Sequence, residues 1–107
     1  IGDYSWIGEQ TVFYSLDEIR IGTHVAIAHG VYFNTGLHDY TKEEFTIMSK
    51  KIIVRDECWI TNDVYIAPGV IIGRGSIIGA RSSVYNNMPE GFICYGNPAK
   101  PIKTRFE

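Results

Sequence analysis

No apolar run in this 107-residue chain approaches the ~18–20 residues that cross a bilayer as a helix. Excess positive charge is also missing. Ten Lys and Arg stand against twelve Asp and Glu, for a net charge of −2. That balance offers no basic face to nucleic acid or to an anionic membrane. Cysteine is scarce. Cys58 and Cys94 have no motif spacing, which argues against a disulfide framework and fits a reducing cytoplasm. No signal peptide is legible. The chain starts at Ile1, in mid-repeat and without methionine, so it reads as a piece of a longer protein. The helical pattern is missing as well: no stretch places apolar residues at i, i+3, i+4 and i+7, and none alternates like a half-buried strand.

What is present is a period of six. Val54, Ile60, Ile66, Ile72, Ile78 and Val84 follow one another at that spacing. The same phase appears upstream at Ile1, Ile7, Ile21, Ile27 and Phe33. A six-residue period marks a hexapeptide-repeat parallel β-helix. Each unit reads as one short strand and a bend, with its first residue pointing inward. The fifth residue is small or apolar, as in Val25, Val31, Cys58, Val64, Val70, Ser76 and Ser82, and makes a second inward position. Glycine often stands second, as in Ile72-Gly73 and Ile78-Gly79, where it is expected to supply unusual dihedrals and close approach. Three units close one coil, and the coils pair as parallel strands in a one-dimensional stack. A β-sandwich is the competing reading, but its strands recur at about 8–12 residues with irregular turns.

The composition and length fit one domain. Coils are expected over 1–89, and a C-terminal turn with a basic tail over 90–107. The phase slips twice. Phe13 to Ile21 spans eight residues, two too many, and is expected to bulge at a corner. Phe33 to Val54 spans twenty-one, three more than a whole coil. The intervening residues, about 36–51, are polar and aperiodic and read as a projecting loop. Loops on rigid scaffolds concentrate function. After Pro89 the repeat is expected to end.

His38 opens that loop. A histidine there stays accessible, and its ordinary pKa of about 6.5 suits it to take a proton from a hydroxyl. Asp39 beside it is a candidate for orienting it. An ordinary surface histidine fits the same context. His24 and His29, at the fourth and third positions of successive units, are expected near adjacent corners. They read as surface polar residues or, with His38, as three zinc ligands.

The hexapeptide pattern, Thr35-Gly-Leu-His-Asp-Tyr40, Val54-Arg-Asp-Glu-Cys-Trp-Ile60 and Gly96-Asn-Pro-Ala-Lys100 together resemble the galactoside, maltose and colanic-acid O-acetyltransferases, which are bacterial hexapeptide-repeat enzymes. The similarity runs over nearly the whole chain and is greatest to the colanic-acid branch. The resemblance implies an all-β, left-handed parallel β-helix, a homotrimer in the cytoplasm, and acetyl-coenzyme A as co-substrate without a metal. It implies that His38 is the general base on the acceptor hydroxyl. Trp59 would stand near the catalytic groove against pantetheine or acceptor, with packing between subunits fitting it equally; Asn62 would stand near the thioester, and Gly79, Ala80 and Ser82 would offer backbone contacts to coenzyme A. Arg81, Lys100, Lys103 and Arg105 are candidates for its phosphates, and a solvated surface role fits them equally. Tyr14 and Asp17, from the slipped corner, and Asp39, at the start of the loop, are candidate acceptor contacts. Tyr85-Asn86 departs from the family's Thr-Lys pair, which puts one usual coenzyme A contact in doubt. Two rivals remain: a γ-type carbonic anhydrase using the three histidines for zinc, and a truncated, inactive β-helix.

Overall fold

The computed structural model describes residues 1–106, and every described element is a strand or a turn. Three parallel sheets form the walls of a triangular prism. The first wall contains β1 (Trp6–Ile7), β4 (Ala26–Ile27), β9 (Trp59–Ile60), β12 (Ile77–Ile78) and β14 (Phe92–Gly96), with the antiparallel β15 (Ala99–Thr104) at its end. The second contains β2 (Val12–Tyr14), β5 (Tyr32–Asn34), β10 (Tyr65–Ile66) and β13 (Ser83–Val84). The third contains β3 (Ile19–Ile21), β8 (Ile52–Val54) and β11 (Ile71–Ile72). A separate hairpin joins β6 (Gly36–His38) to β7 (Ile47–Ser49).

The register explains the period. Ile27 pairs with Ile60 and Ile60 with Ile78 on the first wall, while Phe33, Ile66 and Val84 stack on the second. Ile27, Phe33, Ile60, Ile66, Ile72, Ile78 and Val84 are all fully buried. The fifth positions Val25, Val31, Cys58, Val64, Val70, Ser76 and Ser82 are buried beside them. Two inward residues per six therefore fill the narrow core by stacking like on like.

The bend works differently from the sequence expectation. The left-handed residue is the fourth of each unit, not the second: His24, Glu57, Asp63, Gly69, Gly75 and Arg81 all have φ between 54° and 84°. The second-position glycines serve close approach alone. A Cβ on Gly73 would lie 2.5 Å from the backbone nitrogen of Glu90.

Three further differences from the sequence reading concern the breaks. The segment expected as a loop at about 36–51 contains a regular antiparallel hairpin, with Leu37 opposite Met48. The insertion is also longer than its spacing suggested. Ile27 meets its partner thirty-three residues on, against eighteen for Ile60, so the coil carrying the hairpin is fifteen residues longer. Phe33 and Val54 accordingly lie on successive walls. Finally, the parallel stack runs past Pro89. Met88 bridges Ile72, and Ile93 and Cys94 pair with Ile77 and Ile78. The tail is then a strand, β15, folded back on β14; Glu107 lies outside the described residues.

Candidate active site

The slipped segment and the hairpin share one corner, between the second and third walls. Thr35 joins them. Its fully buried hydroxyl donates to the Tyr14 carbonyl at 2.7 Å and accepts from the Leu16 and Asp17 N–H groups at 2.9 and 3.1 Å. Its carbonyl accepts from the Lys50 N–H at 2.9 Å, where the chain re-enters the coil. The Asp17 carboxylate accepts from the Ser49 hydroxyl at 3.2 Å, a second tie to the hairpin. Nothing in the six-residue pattern singled out Thr35. In the sequence it shows only as a hydroxyl residue immediately before the break in period.

These ties leave a cleft beside the hairpin, lined by Tyr14, Leu16, Tyr32, Asn34, His38 and Ile47 among others. His38 is exposed. Its Nδ1 lies 2.9 Å from the Phe45 carbonyl oxygen, and its ring stacks on the Phe45 ring at 4.1 Å and 9°. A carbonyl only accepts, so Nδ1 is the donor, and in the neutral ring the lone pair is then on Nε2. Phe45 holds a φ of 51°, unusual for an aromatic residue, to present this carbonyl. The sequence reading missed Phe45 and assigned the orienting role to Asp39. The Asp39 carboxylate instead accepts from the N–H and hydroxyl of Thr41, closing the hairpin's own turn.

The remaining candidates lie elsewhere on the prism. Trp59, 48% exposed, stands on the first wall between Ala26 and Ile77. Asn62, Ala80 and Arg81 are exposed at the corner between the first and second walls. The backbone N–H groups of Gly79 and Arg81 are taken by the Cys94 and Asn62 carbonyls. Ser82 is buried, and its hydroxyl accepts from the Gly96 N–H at 3.1 Å, so the side chain locks the C-terminal hairpin. Lys100 and Lys103 are exposed on β15. Arg105 is committed within the chain: its guanidinium donates to the Glu57 and Gly75 carbonyls at 2.9 and 3.1 Å. One chain thus brings Tyr14 and His38 into a single cleft and ties Asp17 to the same corner. Trp59, Asn62 and residues 79–82 lie at other parts of the prism.

The three histidines stand at three different corners. His24 lies between β3 and β4, His29 between β4 and β5, and His38 on the hairpin. The described residues contain no group of three or more metal-binding side chains. Cys58 is buried and its thiol pKa is pushed up to about 11 by that burial, so it is neutral packing and no nucleophile.

Residues 51–86 match the bacterial transferase hexapeptide pattern as six repeats. Over 107 residues, all of this chain, it is 45% identical to WcaF of Escherichia coli strain K12, named as a colanic acid biosynthesis acetyltransferase, and covers 59% of that protein. The chain thus spans about three fifths of the length of that relative. The crystal structure of a hexapeptide-repeat-containing acetyltransferase from Vibrio cholerae superposes with a TM-score of 0.93 at 32% identity, covering 100% of this chain and 62% of that one. A maltose O-acetyltransferase from Clostridium difficile 630 gives 0.94 at 28%, covering 99% and 58%. The Vibrio cholerae protein is also matched in complex with acetyl coenzyme A, at a TM-score of 0.80 and 26% identity, covering 100% and 71%. The prism is the left-handed parallel β-helix that the repeat and these neighbours share, and the chain is similar over its whole length to bacterial hexapeptide-repeat acetyltransferases.

Proposed function

We propose that this chain is the coil domain of an acetyl-coenzyme A-dependent O-acetyltransferase, with His38 as general base and a sugar hydroxyl as acceptor. The observation that carries this reading is the Nδ1 contact to the Phe45 carbonyl, which assigns the acceptor role of the neutral ring to Nε2, in a cleft lined by polar and aromatic groups. Nε2 takes the proton as the acceptor oxygen attacks the thioester carbonyl. The tetrahedral intermediate collapses, the carbon–sulfur bond breaks, and the coenzyme A thiolate takes the proton back from His38. Donors aimed at the developing oxyanion lower this barrier. Binding of acetyl coenzyme A by the Vibrio cholerae neighbour supports the donor. The names of the colanic acid and maltose relatives support a saccharide acceptor.

A homotrimer fits the same geometry. Trp59 and Asn62 stand on parts of the prism that His38 of the same chain does not share, so a second subunit is the natural source of a complete site. We place the assembly in the cytoplasm, where acetyl-coenzyme A is available; no described helix is long and apolar enough to cross a membrane. The test follows release of free coenzyme A thiol from acetyl-coenzyme A in the presence of galactosides, maltose and other hydroxylated sugars. Acceptor-dependent release supports the reading. Stoichiometric zinc with carbon dioxide hydration, or no release with any acceptor, overturns it.

A further inference from the structure

The second wall carries an outward feature that the proposed chemistry does not use. Tyr32 and Tyr65 lie on adjacent strands with ring centroids 6.1 Å apart. Tyr85 follows, 6.0 Å from Tyr65, just after β13. At the other end Tyr32 and Tyr14 line the His38 cleft. Three tyrosines therefore run in a row across three strands, and Tyr32 at its end shares the cleft lining with Tyr14. Tyr14 and Tyr85 are 46% and 52% exposed. Asn34 donates its side-chain amide to the Tyr65 hydroxyl at 2.8 Å, which fixes the middle ring.

The chemistry of this row is specific. Its outward positions, including Val12, Asn34 and Ser83, are all uncharged. The third wall differs: its groove is bordered by Glu18, Arg20, Arg55, Asp56 and Arg74. A neutral row of rings with hydroxyl tips offers apolar faces and hydrogen bonds together. It lacks the cations that phosphates or other anions require. The rings are tilted by 31° and 51° to their neighbours, so they do not form one flat plane. A glycan chain has matching needs: the CH-rich faces of its pyranoses lie on rings, its hydroxyls meet polar tips, and its units turn along the chain.

We propose that Tyr32, Tyr65 and Tyr85 form a binding track for an extended neutral saccharide, which delivers one terminal hydroxyl to His38. This rests on the acetyltransferase reading for the delivery step, but the binding step stands alone. The test titrates the full chain with maltose and maltohexaose by calorimetry, without acetyl-coenzyme A. The hexamer is expected to bind at least ~10-fold tighter than the dimer, since each further ring adds a stacking contact. Tyr65→Ala and Tyr85→Ala should each remove most of that gain and leave maltose affinity unchanged. Tyr65→Phe keeps the ring but loses the Asn34 contact, and should retain most of the hexamer's gain, which separates stacking from misfolding. Equal affinity for both sugars, or none for either, overturns the track. So does a loss of acetyl-coenzyme A affinity or of subunit assembly in Tyr85→Ala, which would give the row to the thioester arm or to a second copy. Hexamer binding without any acetyl transfer would instead sink the acetyltransferase reading and leave the track standing.

Discussion

Two corners of the prism keep a constant length through every coil, while the third varies at nearly every level. Between the first and second walls the chain always turns in one repeat: Ile27 to Phe33, Ile60 to Ile66 and Ile78 to Val84 each take six residues. The corner between the third and first walls is equally regular, from Val54 to Ile60 and from Ile72 to Ile78. At the corner between the second and third walls the step is eight residues from Phe13, twenty-one from Phe33, six from Ile66 and four from Val84. All the slack of the fold sits on one edge. There the stack of aliphatic residues loses no layer, because each insertion begins and ends in register. Loop length costs little when both ends are pinned by the ladder. The cleft with His38 occupies this edge.

The comparison is open to direct attack. His38→Ala should lower acetyl transfer by about 10²–10⁴-fold, the usual worth of a general base. The side chain is exposed, so its melting temperature should hold. A variant with full activity would detach chemistry from this corner. Ile66→Ala strikes the regular part instead. It empties a fully buried layer and should cost about 2–5 kcal/mol in urea unfolding. A loss under about 1 kcal/mol would mean the core is not close-packed there. Thr35→Val tests the joint between the two regions. It deprives the Leu16 and Asp17 N–H groups of their acceptor and should cost about 1–3 kcal/mol. Acceptor KM should rise more than acetyl-coenzyme A KM, since Tyr14 and Leu16 line the cleft.

The smallest effect concerns Cys58. Burial raises its thiol pKa from near 9 to about 11, so the folded state favours the neutral thiol. Its contribution to stability is fully present below pH 9 and is lost as pH climbs from 9 towards 11. Thiol labelling at pH 8 should be slow in the native chain and fast once it unfolds. Rapid labelling of the native chain would show that the regular wall opens.

Much of this was legible in the residues. Aliphatic stacking leaves a one-letter trace every six positions, so Val54 to Val84 announced the walls. The breaks were visible as lost phase, and His38 stood at the larger one. The hairpin itself was not visible, because Ile47, Met48 and Ser49 are exposed and their pairing is carried by backbone groups. The partner of His38 was hidden for the same reason: the Phe45 contact uses a carbonyl that every residue possesses. The extra coil escaped because Met88 follows Val84 by four residues, and Cys94 replaces an aliphatic residue at the inward position.

A repeat whose every strand pairs with its copy above has no intrinsic stopping point, and an exposed parallel edge invites fibre growth. β15 supplies the stop on the first wall. It runs antiparallel to β14 and places Pro101 opposite Cys94, beside a shift in register. Proline has no N–H for a following ladder, and Lys100 and Lys103 add charge to the same edge. The Ser82 hydroxyl and the Arg105 guanidinium hold this terminator to the coil. Residues that the family resemblance suggested for phosphates thus also belong to the element that turns the parallel ladder of the first wall antiparallel: Lys100 and Lys103 stand on β15, and Arg105 pins it.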